Sequence, residues 1–317
     1  MNNSLISIII PVYNKASFLE ETLDSALEQT YSNIELVLVN DGSTDDSLAI
    51  LEAYQSKFPE KIVLINQVNG GVSKATNTGI QASTGEYIQF LDADDIMSLN
   101  KIENQMRLLQ NKTPEVMASC EWLNFQSSVS YTKSLPYGVF RNFESGIDLQ
   151  LRFWEFQEMM AISSYLTHRK LIENAGYWDE TLTINQDGEF FMRVLLQADA
   201  VLYEPQGKVY YRQPGLNNVS QQKSEQAFSS LLNSYQSYER NLLIVEDSSR
   251  VRKALKKVYQ KFIYDCFPNY PHLIKAAERL SEDLAVPEKT YIGGPKFQQL
   301  SRLLGFKNAL RIKRFFS

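Results

Sequence analysis

The chain has 317 residues, 44% of them apolar and 22% charged, with a formal net charge of −5. That is ordinary globular composition, and the length suits a full-sized α/β domain plus a further element. No apolar run reaches about 18 residues, so no membrane-spanning helix is expected. The segment from Lys289 to Ser317 holds seven Lys/Arg and no Asp/Glu, which leaves about −12 for the rest and argues against a nucleic-acid-binding body. Cys120 and Cys266 match no metal spacing and read as free thiols of a reducing compartment. His168 and His272 are isolated, which argues against a histidine-based zinc site.

Taken in chain order, Ile6 to Val12 is apolar and β-branched. No basic residue precedes it and no small-residue cleavage site follows, so it reads as a first strand rather than a signal core. Ser17-Phe18-Leu19-Glu20 has capping-box spacing, and Phe18, Leu19, Thr22, Leu23, Ala26 and Leu27 recur at helical period. Ile34 to Val39 is a second strand. Asp45 and Asp46 open a helix that runs to about Phe58. Ile62 to Ile65 is a third strand, Val72 to Ala82 a helix and Tyr87 to Leu91 a fourth strand. Apolar strands alternating with helices predict βαβ units and a mostly parallel sheet.

Ligands of such sheets bind beyond the carboxyl ends of the strands. Those ends are Pro11-Val12-Tyr13-Asn14, Asn40-Asp41-Gly42-Ser43, Asn66 to Gly71 and Asp92 to Asp95. All are polar or acidic. Carboxylates gathered there repel one another unless a cation joins them.

The stretch from Glu115 to Thr167 is mixed in pattern and rich in aromatics. Arg169 to Asn174 reads as a helix stopping at Gly176. The loop Tyr177 to Gln186 leads into a helix from Asp187 to about Gln197, and short strands follow near Val201 to Tyr203 and Lys208 to Arg212. From about Ser220 the pattern is helical. A boundary near residue 218 would separate an α/β domain, 1–218, from a helical extension, 219–317.

Five motifs together resemble family 2 glycosyltransferases of the GT-A fold over roughly residues 5–215. They are Ile8-Ile9-Ile10-Pro11-Val12-Tyr13-Asn14, Val39-Asn40-Asp41-Gly42-Ser43-Thr44-Asp45, Asn69-Gly70-Gly71-Val72-Ser73 with Asn77, Phe90 to Asp95, and Asp187 opening a helix. The resemblance implies an inverting transfer from a nucleoside diphosphate sugar, a UDP-sugar in the first place, to a glycan or lipid-linked acceptor in polysaccharide or cell-surface glycan assembly. It places nucleotide-sugar binding in 1–115 and the acceptor side in 116–218. A Mg²⁺ or Mn²⁺ ion would offset the charge on the departing diphosphate.

By the same resemblance, Asp94 holds the metal, Asp92 with Ala93 contacts the ribose region and Asp95 flanks them. Asp41 receives a hydrogen bond from the base, while Pro11, Val12 and Tyr13 line the base pocket with Asn14 beside them. Asn69 and Gly70 form an anion-tolerant turn, and Arg212 folds over the donor. Asp187 is the base that takes the acceptor proton, kept ionised by its place at a helix start. Trp178 reads equally as an acceptor-stacking ring or as core. The chain has Gln186 where Glu is usual before the base, and no His from Gln213 to Ser220. Those two departures keep a non-catalytic nucleotide-sugar-binding subunit open. A nucleotidyltransferase would need a Gly-rich basic loop after the first strand, which Pro11 to Asn14 is not.

The tail interleaves Phe297, Leu300, Leu303, Leu304, Leu310, Phe315 and Phe316 with Lys296, Arg302, Lys307, Arg311, Lys313 and Arg314. This suits either a packed terminal helix or peripheral contact with the anionic inner face of the plasma membrane by a cytoplasmic protein. Oligomeric state is not legible.

Overall fold

The first strand, β1 (Ile6–Val12), is buried along almost its whole length, because it lies mid-sheet with helices on its faces. The computed structural model describes residues 3–132, 134–213, 222–287 and 292–315. β1 is followed by α1 (Ala16–Leu27), β2 (Ile34–Asp41), α2 (Ser47–Lys57), β3 (Ile62–Gln67), α3 (Val72–Ala82) and β4 (Tyr87–Phe90). Next come the short β5 (Ile96–Met97), α4 (Lys101–Leu109), β6 (Val116–Phe125), α5 (Gly146–Phe156), β7 (Thr167–His168), α6 (Arg169–Ala175), α7 (Gln186–Leu195) and β8 (Ala200–Arg212). The sheet order β3-β2-β1-β4-β7 is parallel except for the edge pair β4–β7, as the alternating pattern predicts. A second sheet has the order β5-β8-β6.

Three local expectations change. The capping box at Ser17 does not form: α1 starts at Ala16, and no side chain of its own caps it. Its first N–H groups bond instead to the loop after β2, Lys15 N–H to Ser47 Oγ at 2.9 Å and Ala16 N–H to Asp45 Oδ2 at 3.1 Å. The two short strands expected around 201–212 are one strand, β8. Glu204 carries the chain through the Pro205-Gln206-Gly207 break by accepting the N–H groups of Gln206 and Gly207. The mixed-looking 116–125 stretch is a full strand, parallel to β8, with a bulge between Cys120 and Glu121. Lys101, fully buried under this sheet, donates to Gln89 Oε1 and to the Tyr165 carbonyl, and burial pushes its pKa down to about 8.

The chain divides into two compact units. The first comprises Met1–Gln150, Glu158–Glu180 and Phe190–Asn217 and contains both sheets; the second comprises Leu151–Gln157, Thr181–Glu189 and Asn218–Ser317. The boundary expected near residue 218 lies outside the described residues. The second unit holds α8 (Glu225–Val245), α9 (Ser249–Cys266), α10 (Pro271–Asp283), α11 (Pro295–Leu304) and α12 (Phe306–Phe315). Cys120 and Cys266 are both buried free thiols. No helix among the described residues is long and apolar enough to cross a membrane.

Candidate active site

The loops at the carboxyl ends of β1 and β2 are stitched together by side chains. Asn14 takes a left-handed conformation, φ 53°, at which asparagine is better tolerated than most residues. Its N–H donates to Ser43 Oγ at 3.1 Å, and its Oδ1 accepts the Thr44 N–H at 2.8 Å. Strand alternation turns Pro11 and Val12 to opposite faces of the sheet, and Tyr13 follows in the bend after β1. Tyr13 is 48% exposed and can offer a ring face, whereas Val12 is buried core and does not line a pocket as the motif suggests.

Asp41, at the end of β2, is only 2% exposed. Its Oδ1 accepts Gln67 Nε2 at 2.8 Å and the Gly70 N–H at 2.9 Å, and its Oδ2 accepts the Gly71 N–H at 2.9 Å. The carboxylate thus caps the Asn69-Gly70-Gly71 turn ahead of α3. The Gly70 N–H that the sequence offers to a phosphate is already bonded within the protein. Asn69 Nδ2 donates to the Asp41 carbonyl at 2.9 Å. Gly42 permits this approach: its φ is +70°, and a Cβ there would stand 2.8 Å from the Asn69 backbone nitrogen. Asp41 Oδ2 accepts one hydrogen bond where a carboxylate oxygen has capacity for two.

Asp92 to Asp95 follows β4, and the Leu91 N–H donates to the Ile9 carbonyl at 3.0 Å, which ties the segment to β1. Asp92 and Asp94 are partly exposed, whereas Ala93 and Asp95 are buried. Ala93 therefore brings backbone rather than side chain to the site. Asp95 accepts the Arg212 N–H on Oδ1 and the Ser163 hydroxyl on Oδ2, each at 3.0 Å. Burial first, then the charge of Asp92, pushes the Asp95 carboxyl well above the usual carboxylate range.

Arg212 differs from expectation. Its side chain is 8% exposed and engaged inside the protein. Nε donates to the Asp94 carbonyl at 2.9 Å, one terminal nitrogen to the Gln126 carbonyl at 2.8 Å and the other to Glu21 Oε2 at 2.7 Å. The rings of Phe18 and Phe125 lie 4.4 and 4.3 Å from the guanidinium carbon. The arginine braces the Asp94 backbone from β8 and does not cover a donor.

The Asp94 carboxylate pairs with Lys15 Nζ, the two side chains being 17% and 27% exposed. Three of the gathered carboxylates find donors within the chain. Asp41 is held by amide donors, Asp94 by Lys15, and Asp95 by Arg212 N–H and Ser163. Among the described residues no group of three or more His, Cys, Asp or Glu is placed to form a protein-only metal cage. The donor set at Asp92 and Asp94 is all oxygen and partly exposed. It fits Mg²⁺ or Mn²⁺ in the mode where one or two carboxylates hold the ion and diphosphate oxygens and water complete its shell.

Pro11, Thr76, Phe90, Asp92, Ile162 and Trp178 line a small cleft. Trp178 is 4% exposed, stacks on Phe190 at 4.9 Å and meets Phe90 edge-on at 5.9 Å. Of its two readings, the core one holds, because a ring so enclosed has no free face for a sugar. The Trp178 backbone is clamped by Asn77, whose Oδ1 accepts its N–H at 2.9 Å and whose Nδ2 donates to its carbonyl at 3.0 Å.

Asp187 stands in the first turn of α7, in the part assigned to the second unit, and is exposed. The protein around it raises its pKa, and the Gly188 N–H, 2.8 Å from Oδ1, pulls the other way. The net direction is upward, opposite to the expectation that the helix start favours the anion. The preceding loop rests on α8. Asn185, at φ 58°, donates to Ser234 Oγ and to the Tyr238 hydroxyl, both at 2.8 Å, and Ser230 Oγ accepts the Thr183 N–H at 2.8 Å. Ser237 donates to Glu189 Oε1 at 2.6 Å. Sequence reasoning missed these residues. The available signal was Ser230, Ser234 and Ser237 at helical spacing on one face.

The sequence matches glycosyl transferase family 2 over residues 7–174, more than half of the chain, and the protein belongs to that family. It is 35% identical to the uncharacterized glycosyltransferase EpsJ of Bacillus subtilis over 66% of this chain and 61% of that one. It is 39% identical to glycosyltransferase GlyG of Streptococcus pneumoniae over 40% of this chain and 42% of that one. The chain spans about three-fifths or less of the length of these and other curated relatives that it matches. The fold resembles that of Staphylococcus aureus TarS, residues 1–349, solved with UDP-GlcNAc: TM-score 0.63, 17% identity, covering 99% of this chain and 92% of that one. The GT-A fold implied by the motifs is thus the fold found.

Proposed function

We propose that the protein is an inverting glycosyltransferase that uses a nucleoside diphosphate sugar, with a UDP-sugar as donor. The observation that carries the reading is the convergence, at the ends of β1, β2 and β4, of a buried amide-held carboxylate, an exposed ring and a partly exposed Asp-X-Asp. Asp41 would take the N3–H of uracil on its remaining lone pair while Tyr13 stacks on the base. Asp94, with Asp92 beside it, would hold Mg²⁺ or Mn²⁺ against the diphosphate. Bound there, the ion neutralises charge on the departing nucleotide. Asp187 would take the proton from the acceptor hydroxyl as that oxygen bonds to the anomeric carbon and the bond to the diphosphate breaks. A raised carboxyl pKa makes Asp187 a stronger base in its ionised form. The relative solved with UDP-GlcNAc supports UDP as the nucleotide.

The acceptor reading is a glycan or lipid-linked chain in cell-surface glycan assembly, with the protein on the cytoplasmic side. It is supported by the basic α11–α12 segment, which exposes Leu303, Leu304 and Phe315 among Arg302, Lys307, Arg311 and Arg314. A nucleotide-sugar panel with Mn²⁺, read by release of nucleoside diphosphate, tests the activity; no release from any donor would overturn it. Asp94→Ala is expected to abolish turnover and weaken UDP binding. Asp187→Asn is expected to abolish turnover, about 10²-fold or more, with UDP binding nearly unchanged. With a working donor, the acid limb of kcat/KM is expected above the ordinary aspartate range, as the raised Asp187 pKa requires.

A further inference from the structure

Lys15 has no role in the reading above, yet it is built into the site. The stitched loop of Asn14, Ser43, Thr44, Asp45 and Ser47 fixes its backbone. Its side chain starts beside Tyr13, at the proposed base end, and its ammonium ends on Asp94, at the proposed metal end. A diphosphate joining a base at Tyr13 and Asp41 to an ion at Asp94 would bridge the same two ends as that side chain. The amides of Lys15 and Ala16 cannot serve it, since they are bonded to Ser47 and Asp45. Arg212 is engaged internally. The pair itself is partly exposed, so it is weak and exchangeable.

We propose that Lys15 binds the donor diphosphate, and that in the donor-free protein it occupies the Asp94 carboxylate, so that the metal enters with the donor rather than before it. The proposal rests on the donor-site reading above. On donor arrival the ammonium exchanges one oxygen anion for another, from carboxylate to phosphate, and Asp94 is released to the incoming cation. The resting protein keeps a charge-matched site without a bound metal.

Isothermal titration of wild type, Lys15→Met and Lys15→Arg tests this with three probes: uridine, UDP in the presence of chelator, and Mn²⁺ alone. In Lys15→Met, metal-free UDP binding is expected to weaken about tenfold or more while uridine binding is unchanged, because the lost contact is to phosphate. Mn²⁺ alone is expected to bind this variant about tenfold more tightly than wild type, because the competing cation is gone. Lys15→Arg is expected to retain most of the UDP affinity. Equal losses for UDP and uridine, no loss for UDP, or unchanged Mn²⁺ affinity would each overturn the proposal. Failure of wild type to bind either uridine or UDP would instead overturn the underlying donor-site reading, and this proposal with it.

Discussion

Asp95 shows how much a single position can carry without touching a ligand. Its carboxyl is buried behind Asp92 and Asp94, and both its hydrogen bonds come from the protein. A carboxyl whose pKa is raised by folding contributes stability below its unfolded pKa and loses that contribution as pH climbs through the folded value. Asparagine imitates the protonated form: it can still accept from Arg212 N–H and can donate to Ser163. Asp95→Asn is therefore expected to melt above wild type at about pH 8, with the gap closing toward about pH 4. A difference independent of pH would contradict the assignment. Only the structure distinguishes Asp94 from Asp95. In sequence they are adjacent carboxylates, and strand-end geometry turns one outward and the other inward.

At the scale of elements, β8 and the loop after β4 act as one piece through Arg212. A donor-covering arginine and a bracing one make different predictions. Arg212→Met removes three side-chain hydrogen bonds from a buried cation. It is expected to cost roughly 2–4 kcal/mol of stability in chemical denaturation and to weaken UDP binding in parallel. Loss of UDP binding with unchanged stability would restore the donor-contact reading. The elements that were legible are those whose signal is local. Val72–Ala82 and β1 are found with the predicted ends, and β2 to β4 differ from expectation by one or two residues. β6 was illegible because it is buried on both faces, which erases the alternation that marks a strand, and its partner β8 lies far along the chain. The loop webs were illegible for a related reason. The amides of Lys15 and Ala16 find their acceptors about 30 residues away, where no capping-box spacing can register them. Asp41 and Asp94 could be picked out by resemblance, but their donors could not.

For the molecule as a whole, the uneven charge is the feature with a measurable consequence. A body of about −12 is attached to a terminal segment of seven basic residues. Repulsion of the acidic body from anionic lipid and attraction of the segment are both electrostatic and both screened by salt. Binding to vesicles containing phosphatidylserine is expected at low ionic strength, strongest for wild type, weaker when Arg302, Lys307, Arg311 and Arg314 are all changed to Gln, and lost near 0.5 M salt, where the screening length is only about 4 Å. Vesicle sedimentation checks this; absence of binding at low salt would refute the membrane role and leave the transfer chemistry standing. The second unit also takes in Leu151–Gln157 and Thr181–Glu189, so the residues around Asp187 come from α8 as well as from its own loop.

Asp41 has a consequence for how such an enzyme can change over time. One carboxylate closes the Gly70-Gly71 turn and, in the proposed function, also reads the base. Selection for a different nucleotide and selection for an ordered loop therefore act on the same atoms. An asparagine there could still accept from Gln67 and Gly70, but its amide would face the Gly71 N–H donor to donor. A switch of base would thus require a second, simultaneous change in the turn. Among descendants of this sequence, choice of nucleotide is expected to be inherited nearly unchanged.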